Sequence, residues 1–109
     1  MNKKKLKKPY FSIVTVVKND QKNIQKTIKS VLSQSLKNYE YILIDGKSND
    51  QTLNIINRYS KKLNLIISEK DKGIYFAMNK GIRFSSGNII VFVNSGDLLT
   101  KNALKIIHS

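Results

Sequence analysis

Cysteine is absent from the chain, which excludes disulfides and thiolate metal sites and fits a reducing compartment. No apolar run approaches the roughly 20 residues of a membrane-spanning helix. The basic start, MNKKKLKKPY, leads into no apolar segment of secretory type, because charges return at Lys18 and Asp20. A cytoplasmic location is therefore expected. Neither glycine-rich phosphate cradle is present: there is no G-x-G-x-x-G and no G-x-x-x-x-G-K-[ST]. Acidic side chains are scarce, 7 against 20 lysines and arginines, for a formal net charge of +13. Such an excess draws polyanions, whether nucleic acid, anionic lipid or a phosphorylated ligand. No aromatic pattern of RNA-binding type, no recognition-helix signature and no zinc spacing supports the first of these, so nucleic acid is not expected as a partner.

What is present suffices for one domain with one modest core in 109 residues. Residues 1–9 read as a basic flexible tail and residues 10–109 as the domain. Lys3, Lys4, Lys5, Lys7 and Lys8 crowd the tail. Each is worth about 1 kcal/mol near an anionic membrane surface, so peripheral contact at the inner face of the cell membrane is expected. A purely solubilising tail is the alternative.

Four apolar, β-branched runs stand out: FSIVTVV (11–17), YEYILID (39–45), LNLIISE (63–69) and NIIVFVN (88–94). Between them lie segments of helical spacing. Ile24, Ile28, Val31 and Leu32 form one stripe, with Asp20 or Asn23 as its cap. Ser48 with Gln51 resembles a capping box ahead of Leu53, Ile56 and Tyr59. Tyr75, Met78 and Ile82 share a third face, with Gly87 as the stop. KNALKIIHS starts a fourth helix. Strands alternating with helices predict an α/β fold with a mostly parallel sheet.

In such a sheet ligands bind outside the carboxyl ends of the strands. Carboxylates gather at those ends: Asp20, Asp45, Asp50, Glu69, Asp71 and Asp97. Gathered carboxylates repel one another unless a cation or a hydrogen-bond donor sits between them. Asp20 and Asp50 read as caps. Asp45 and Asp97 each close an apolar strand beside a glycine and read as ligand-binding. Without a glycine loop, a bound diphosphate needs another positive charge. Mg²⁺ or Mn²⁺ held by one or two carboxylates and phosphate oxygens can supply it. Asp97 is the expected metal ligand, and Gly96 lets the backbone come close.

Three ordered blocks, FSIVTVVKND, SVLSQSLKNYEYILIDGKSNDQT and EKDKGIYFAMNKGIRFSSGNIIVFVNSGD, carry a resemblance together with the spacing between them. They resemble the front half of the family 2 glycosyltransferases, with the Rossmann-like GT-A fold for nucleotide-diphospho-sugars. The third block looks like the branch that builds bacterial surface polysaccharides. The resemblance implies a nucleotide-sugar donor, expected to be a UDP-sugar, hexosyl transfer, and a saccharide or lipid-linked acceptor. Residue by residue it implies that Thr15, Val17 and Asn19 lie against the nucleoside and that Asp45 accepts the N3–H of uracil. Asp71 and Gly73 are implied at base and ribose, and Asn79 along the donor site. Asn94 to Asp97 match the metal-binding position of the family, where the nucleotide-binding set continues with Asn94 and Ser95. The family pattern there is more acidic, and Asn-Ser-Gly-Asp offers a single carboxylate, Asp97.

In the family the general base and the acceptor site follow the metal motif, so the catalytic base is expected beyond Ser109. A truncated GT-A domain that retains donor recognition is the leading expectation. A non-catalytic nucleotide-binding module or gene remnant is the alternative. His108 suits a base by residue type, but its position on a trailing helix predicts exposure. An apolar edge left without the second half predicts self-association.

Overall fold

The computed structural model describes residues 9–109. The lysine tail, and with it the expected membrane contact, falls almost wholly outside the described residues. Four strands form the sheet: β1 (Phe11–Val17), β2 (Tyr39–Asp45), β3 (Leu65–Ser68) and β4 (Ile89–Phe92). All neighbours pair in parallel, in the order β3-β2-β1-β4. The expected α/β class is what the chain adopts. β1 and β2 match the expected spans, while β3 and β4 are shorter at both ends.

The continuous apolar runs exist because both sheet faces are covered. Alternate residues of β1 go to opposite layers. Phe11, Ile13 and Val17, with Tyr41 and Leu43 of β2, face helix α1 (Ile24–Leu32) and helix α2 (Thr52–Asn57). The last helix, α4 (Ala103–His108), joins this layer through the buried Leu104. Val14, Ile42, Ile44 and Ile67 face helix α3 (Ile74–Phe84) through Ala77. Among the described residues no helix is long and apolar enough to cross a membrane.

Helix α3 corrects one expectation. Tyr75, Met78 and Ile82 do share a face, but it points outward: Tyr75 is 78% and Ile82 47% exposed. The helix packs on the sheet through small residues instead, Ala77 and Gly81. Small residues let the helix backbone approach the strands closely, and the large apolar side chains are left outside. Gly87 is likewise not the helix stop, because α3 already ends at Phe84. Its amide donates to Ser12 Oγ at 2.7 Å, and a Cβ there would come within 2.7 Å of the Phe11 carbonyl carbon. The glycine serves close passage beneath β1.

Two capping expectations fail for a shared reason. Neither Asn23 ahead of α1 nor Gln51 ahead of α2 makes a side-chain cap bond. Asp20 instead accepts from Asn23 Nδ2 at 3.0 Å and from Ser95 Oγ at 2.8 Å. Ser48 donates to Asp45 and accepts the Asn19 amide from the end of β1. Both side chains tie neighbouring strand ends together rather than their own helix. Asp50 does act as a cap: its Oδ1 accepts the Thr52 amide at 2.9 Å and its Oδ2 the Gln21 amide at 3.2 Å.

Candidate donor cleft at the carboxyl ends of the strands

A cleft of about 310 Å³ opens where β1 and β2 end. Val16, Val17 and Lys18 wall it from β1, and Gly46 from β2. Asp71 and Gly73 come from the loop after β3, and Ile74 and Ala77 from α3. The position is the one expected for a ligand in an open parallel sheet.

The loops at the rim are laced to each other. The Asn19 amide donates to Ser48 Oγ at 2.8 Å, and Asn19 Oδ1 accepts the Asn49 amide at 2.7 Å. Asn19 (φ 50°) and Lys47 (φ 60°) both hold left-handed backbone. Asparagine tolerates that region, whereas a lysine there costs about 1 kcal/mol or more. Such strain persists only where surrounding bonds over-determine the backbone, and it clusters at ligand sites.

The gathered carboxylates are held by hydrogen-bond donors at Asp45 and by the Lys80 ammonium at Glu69 and Asp71. Asp45 is fully buried. It accepts from Ser48 Oγ (2.5 Å), the Ser48 amide (3.1 Å) and Ser68 Oγ (2.7 Å). Its four lone-pair sites therefore already carry three bonds. Lys80 of α3 bridges Glu69 at 2.5 Å and closes an ion pair with Asp71. Partial burial works against the Lys80 ammonium, but hydrogen bonds to Asp71 and Glu69 outweigh it and hold its pKa above the ordinary lysine value.

Asp71 is the exception within the cleft wall. Its side chain is only 6% exposed, and while Oδ1 meets Lys80, Oδ2 has no hydrogen-bond partner. A buried acceptor left unmatched costs about 1–3 kcal/mol, so it points to a donor supplied from outside. Asn94 Oδ1 is buried and unmatched in the same way. Asp97 sits on the exposed turn after β4, beside Gly96 at φ 98°. No group of three or more His, Cys, Asp or Glu side chains able to hold a metal occurs among the described residues. One carboxylate with a neighbouring oxygen donor suits a hard cation that arrives with a diphosphate, which supplies the remaining oxygens. It does not suit a cation held by protein alone.

The other expected site residues divide. Val17, Asp71 and Gly73 line the cleft, and Asn19 and Ser95 lie on loops at its edge of the sheet. Thr15 turns into the core: it is fully buried, 2.7 Å from Tyr41 Oη, and donates to the Val93 carbonyl at 2.6 Å. Asn79 is exposed on α3, two residues on from the inward Ala77. His108 packs edge-on against Tyr10 with ring centroids 4.6 Å apart, near the start of β1. The cleft lies at the other end of that strand. Two residues carry more than their sequence signal suggested. Lys18 contributes its stem beside Gly46, at 3.4 Å from where a Cβ would stand. Lys80 was hidden among 20 basic side chains, and its partners Glu69 and Asp71 lie in the loop before α3, where no helical or strand spacing links them to it.

The model of the family described as "Glycosyl transferase family 2" matches residues 12–107. TuaG of Bacillus subtilis, whose name assigns it to teichuronic acid biosynthesis, is 32% identical over 101 residues. The match covers 90% of this chain and 40% of TuaG. A PGL/p-HBAD biosynthesis glycosyltransferase of Mycobacterium tuberculosis is 32% identical over 94 residues, covering 84% of this chain and 37% of its own length. Among solved structures, S. aureus TarS in complex with UDP-GlcNAc superposes with a TM-score of 0.83 at 29% identity, over 90% of this chain and 30% of TarS. A mannosyltransferase of Pyrobaculum calidifontis, in complex with GDP-Man and Mn²⁺, shares the fold with a TM-score of 0.77 at 20% identity, over 95% of this chain and 32% of its own. The chain thus spans about two fifths or less of the length of these relatives.

Proposed function

The chain belongs to glycosyl transferase family 2, and from that premise we propose that it forms the donor-binding portion of a glycosyltransferase that uses a UDP-sugar. The acceptor is a bacterial surface polysaccharide or a lipid-linked precursor, in keeping with the biosynthetic names of the relatives. The observation that carries this reading is the unmatched Asp71 oxygen in the wall of the cleft beside Lys18 and Gly46. A uracil N3–H or a ribose hydroxyl is the kind of donor it lacks. Asp45, on the neighbouring strand end, is fully buried and braces the loop beside the nucleoside through Ser48 and Ser68.

Asp97 is the proposed ligand for Mg²⁺ or Mn²⁺, with Asn94 beside it. A cation there would offset the diphosphate charge as the leaving group departs. Lys18 and the overall positive charge draw the donor in. The acceptor site and the general base are assigned to parts of the protein beyond this stretch, since His108 lies at the opposite end of β1. Proximity and general-base catalysis together supply much of the barrier reduction in such transfers.

Calorimetric titration with UDP, GDP and dTDP, each with and without Mn²⁺, tests the proposal. UDP should bind most tightly and more tightly with Mn²⁺. Absence of binding by all three nucleotides would overturn it.

A further inference from the structure

The segment after β4, from Asn94 to Asn102, contains no helix or strand. Irregular backbone at the edge of a core must still satisfy its polar groups. Here helix α1 and the residues just after it do so with side chains. Thr27 Oγ1 accepts the Gly96 amide at 3.0 Å and donates to the Asp97 carbonyl at 2.9 Å. Ser30 Oγ accepts the Leu99 amide at 3.1 Å. Gln34 Nε2 donates to the Thr100 carbonyl at 2.6 Å, and its Oε1 accepts the Leu104 amide at 3.2 Å. Thr27 and Ser30 lie at i and i+3 on α1, and Gln34 follows two residues past the helix end, so the three succeed one another along the segment. The segment runs beside them in the same direction as α1.

We propose that these side chains are a splint for the turn that carries Asp97, with Thr27 as its positioning residue. Its role in function depends on Asp97 being the cation ligand proposed above. Three observations converge on Thr27. Its hydroxyl is fully buried, although threonine oxygens are easily solvated. It bonds both ends of the Gly96–Asp97 unit, so it fixes the direction in which Asp97 leaves the backbone. Gly96 has φ 98°, and nothing lies within 4 Å of where its Cβ would stand, so no side-chain packing at this position restrains the turn. Without the hydroxyl the turn would keep the Asp97 amide's bond to the Asn94 carbonyl and the ties of Ser95 to Val16 and Asp20, but would lose both bonds that fix the Gly96–Asp97 unit to α1, and the carboxylate would have to be ordered further at the moment of binding.

Two measurements on wild type, Thr27→Val and Thr27→Ser test this. Valine keeps the shape and removes the hydroxyl; serine keeps the hydroxyl. Amide hydrogen exchange without ligand should show Gly96 and Leu99 protected in wild type despite lying outside helix and strand. In Thr27→Val, Gly96 should exchange at least about tenfold faster, with β1 amides unchanged, and Thr27→Ser should resemble wild type. In calorimetry the gain in UDP affinity from Mn²⁺ should fall about tenfold in Thr27→Val and stay within about twofold in Thr27→Ser, as a lost buried hydrogen bond implies. Unprotected Gly96 and Leu99 in wild type, or a full Mn²⁺ gain in Thr27→Val, would overturn the proposal. Should Thr27→Val not fold, Ser30→Ala and the wild-type exchange pattern decide it. A wild type that binds no nucleotide overturns the donor-site reading, and the exchange data then judge the splint alone.

Discussion

Gly81 of α3 lies so close to β1 that a methyl group in its place would come within 2.4 Å of Val14 Cγ1. Val14 is fully buried at the centre of the sheet and cannot step aside. Gly81→Ala should therefore destabilise the fold by about 1 kcal/mol or more. Overpacking of roughly 1–3 kcal/mol outweighs the roughly 1 kcal/mol that alanine gains over glycine in a helix. The urea midpoint checks it, and an unchanged or higher midpoint would mean that α3 can lift off the sheet without loss.

Asp45 and Asp71 should separate stability from binding. Asp45→Asn places an amide among the hydroxyls of Ser48 and Ser68 and should lower stability by about 1–3 kcal/mol without any ligand. Asp71→Asn keeps Lys80 paired with Glu69 and should weaken UDP about tenfold with a smaller change in melting temperature. Equal UDP affinity of Asp71→Asn and wild type would remove Asp71 from the donor site.

Asp97→Asn should abolish the Mn²⁺ dependence of UDP binding while leaving the cation-free affinity and the melting temperature near wild type, because the side chain is exposed and makes no hydrogen bond to the described residues. A persistent Mn²⁺ effect would relocate the cation.

Stability should fall as pH rises past about 10. Burial pushes the Tyr41 hydroxyl well above its ordinary 10.0, and carboxylate partners raise Lys80 above 10.5. Both groups hold their protons longer when folded, so the native state binds more protons than the unfolded one in this range. The stability is complete below the unfolded values and is lost progressively above them. Chemical denaturation at pH 8, 10 and 11 should show a declining midpoint, and Tyr41→Phe should flatten part of the decline. A midpoint that rises over this range would contradict the sign.

Removal of residues 1–8 should reduce co-sedimentation with vesicles of anionic lipid, and 0.5 M salt should do the same, since the Debye length falls to about 4 Å. Undiminished sedimentation of the shortened protein would make the lysines a solubilising tail.

The sheet was legible because burial on both faces leaves an uninterrupted apolar run, as in Ile42, Leu43 and Ile44, and few other structures do. Helix α3 was legible as a helix but not in its orientation. Periodicity counts bulk, and here the sheet accepts Ala77 and Gly81 while Tyr75 and Ile82 stay outside. The site was legible as a row of strand ends, since topology alone puts ligands there. Which carboxylate remains open was not. Asp45 and Asp71 are the same residue type in similar loops, and only the placement of Ser48, Ser68 and Lys80 distinguishes them. The polar side chains along and just after α1 carry no signal in the sequence, because Thr27, Ser30 and Gln34 find their partners in a loop some 70 residues onward.

The strand order also sets a sequence of events in folding. β1 finds β2 across 28 residues but β4 only across 78. Closing the longer loop costs about 0.9 kcal/mol more in chain entropy. The unit from β1 to β3 can therefore assemble while β4 is still unpaired, and pairing of β4 comes late. The Asp97 turn hangs from the end of that last strand. The part of the cleft built on β1 and β2 then forms before the Asp97 turn does, and pulse-labelled exchange would show the amides of β1 and β2 protected ahead of those of β4.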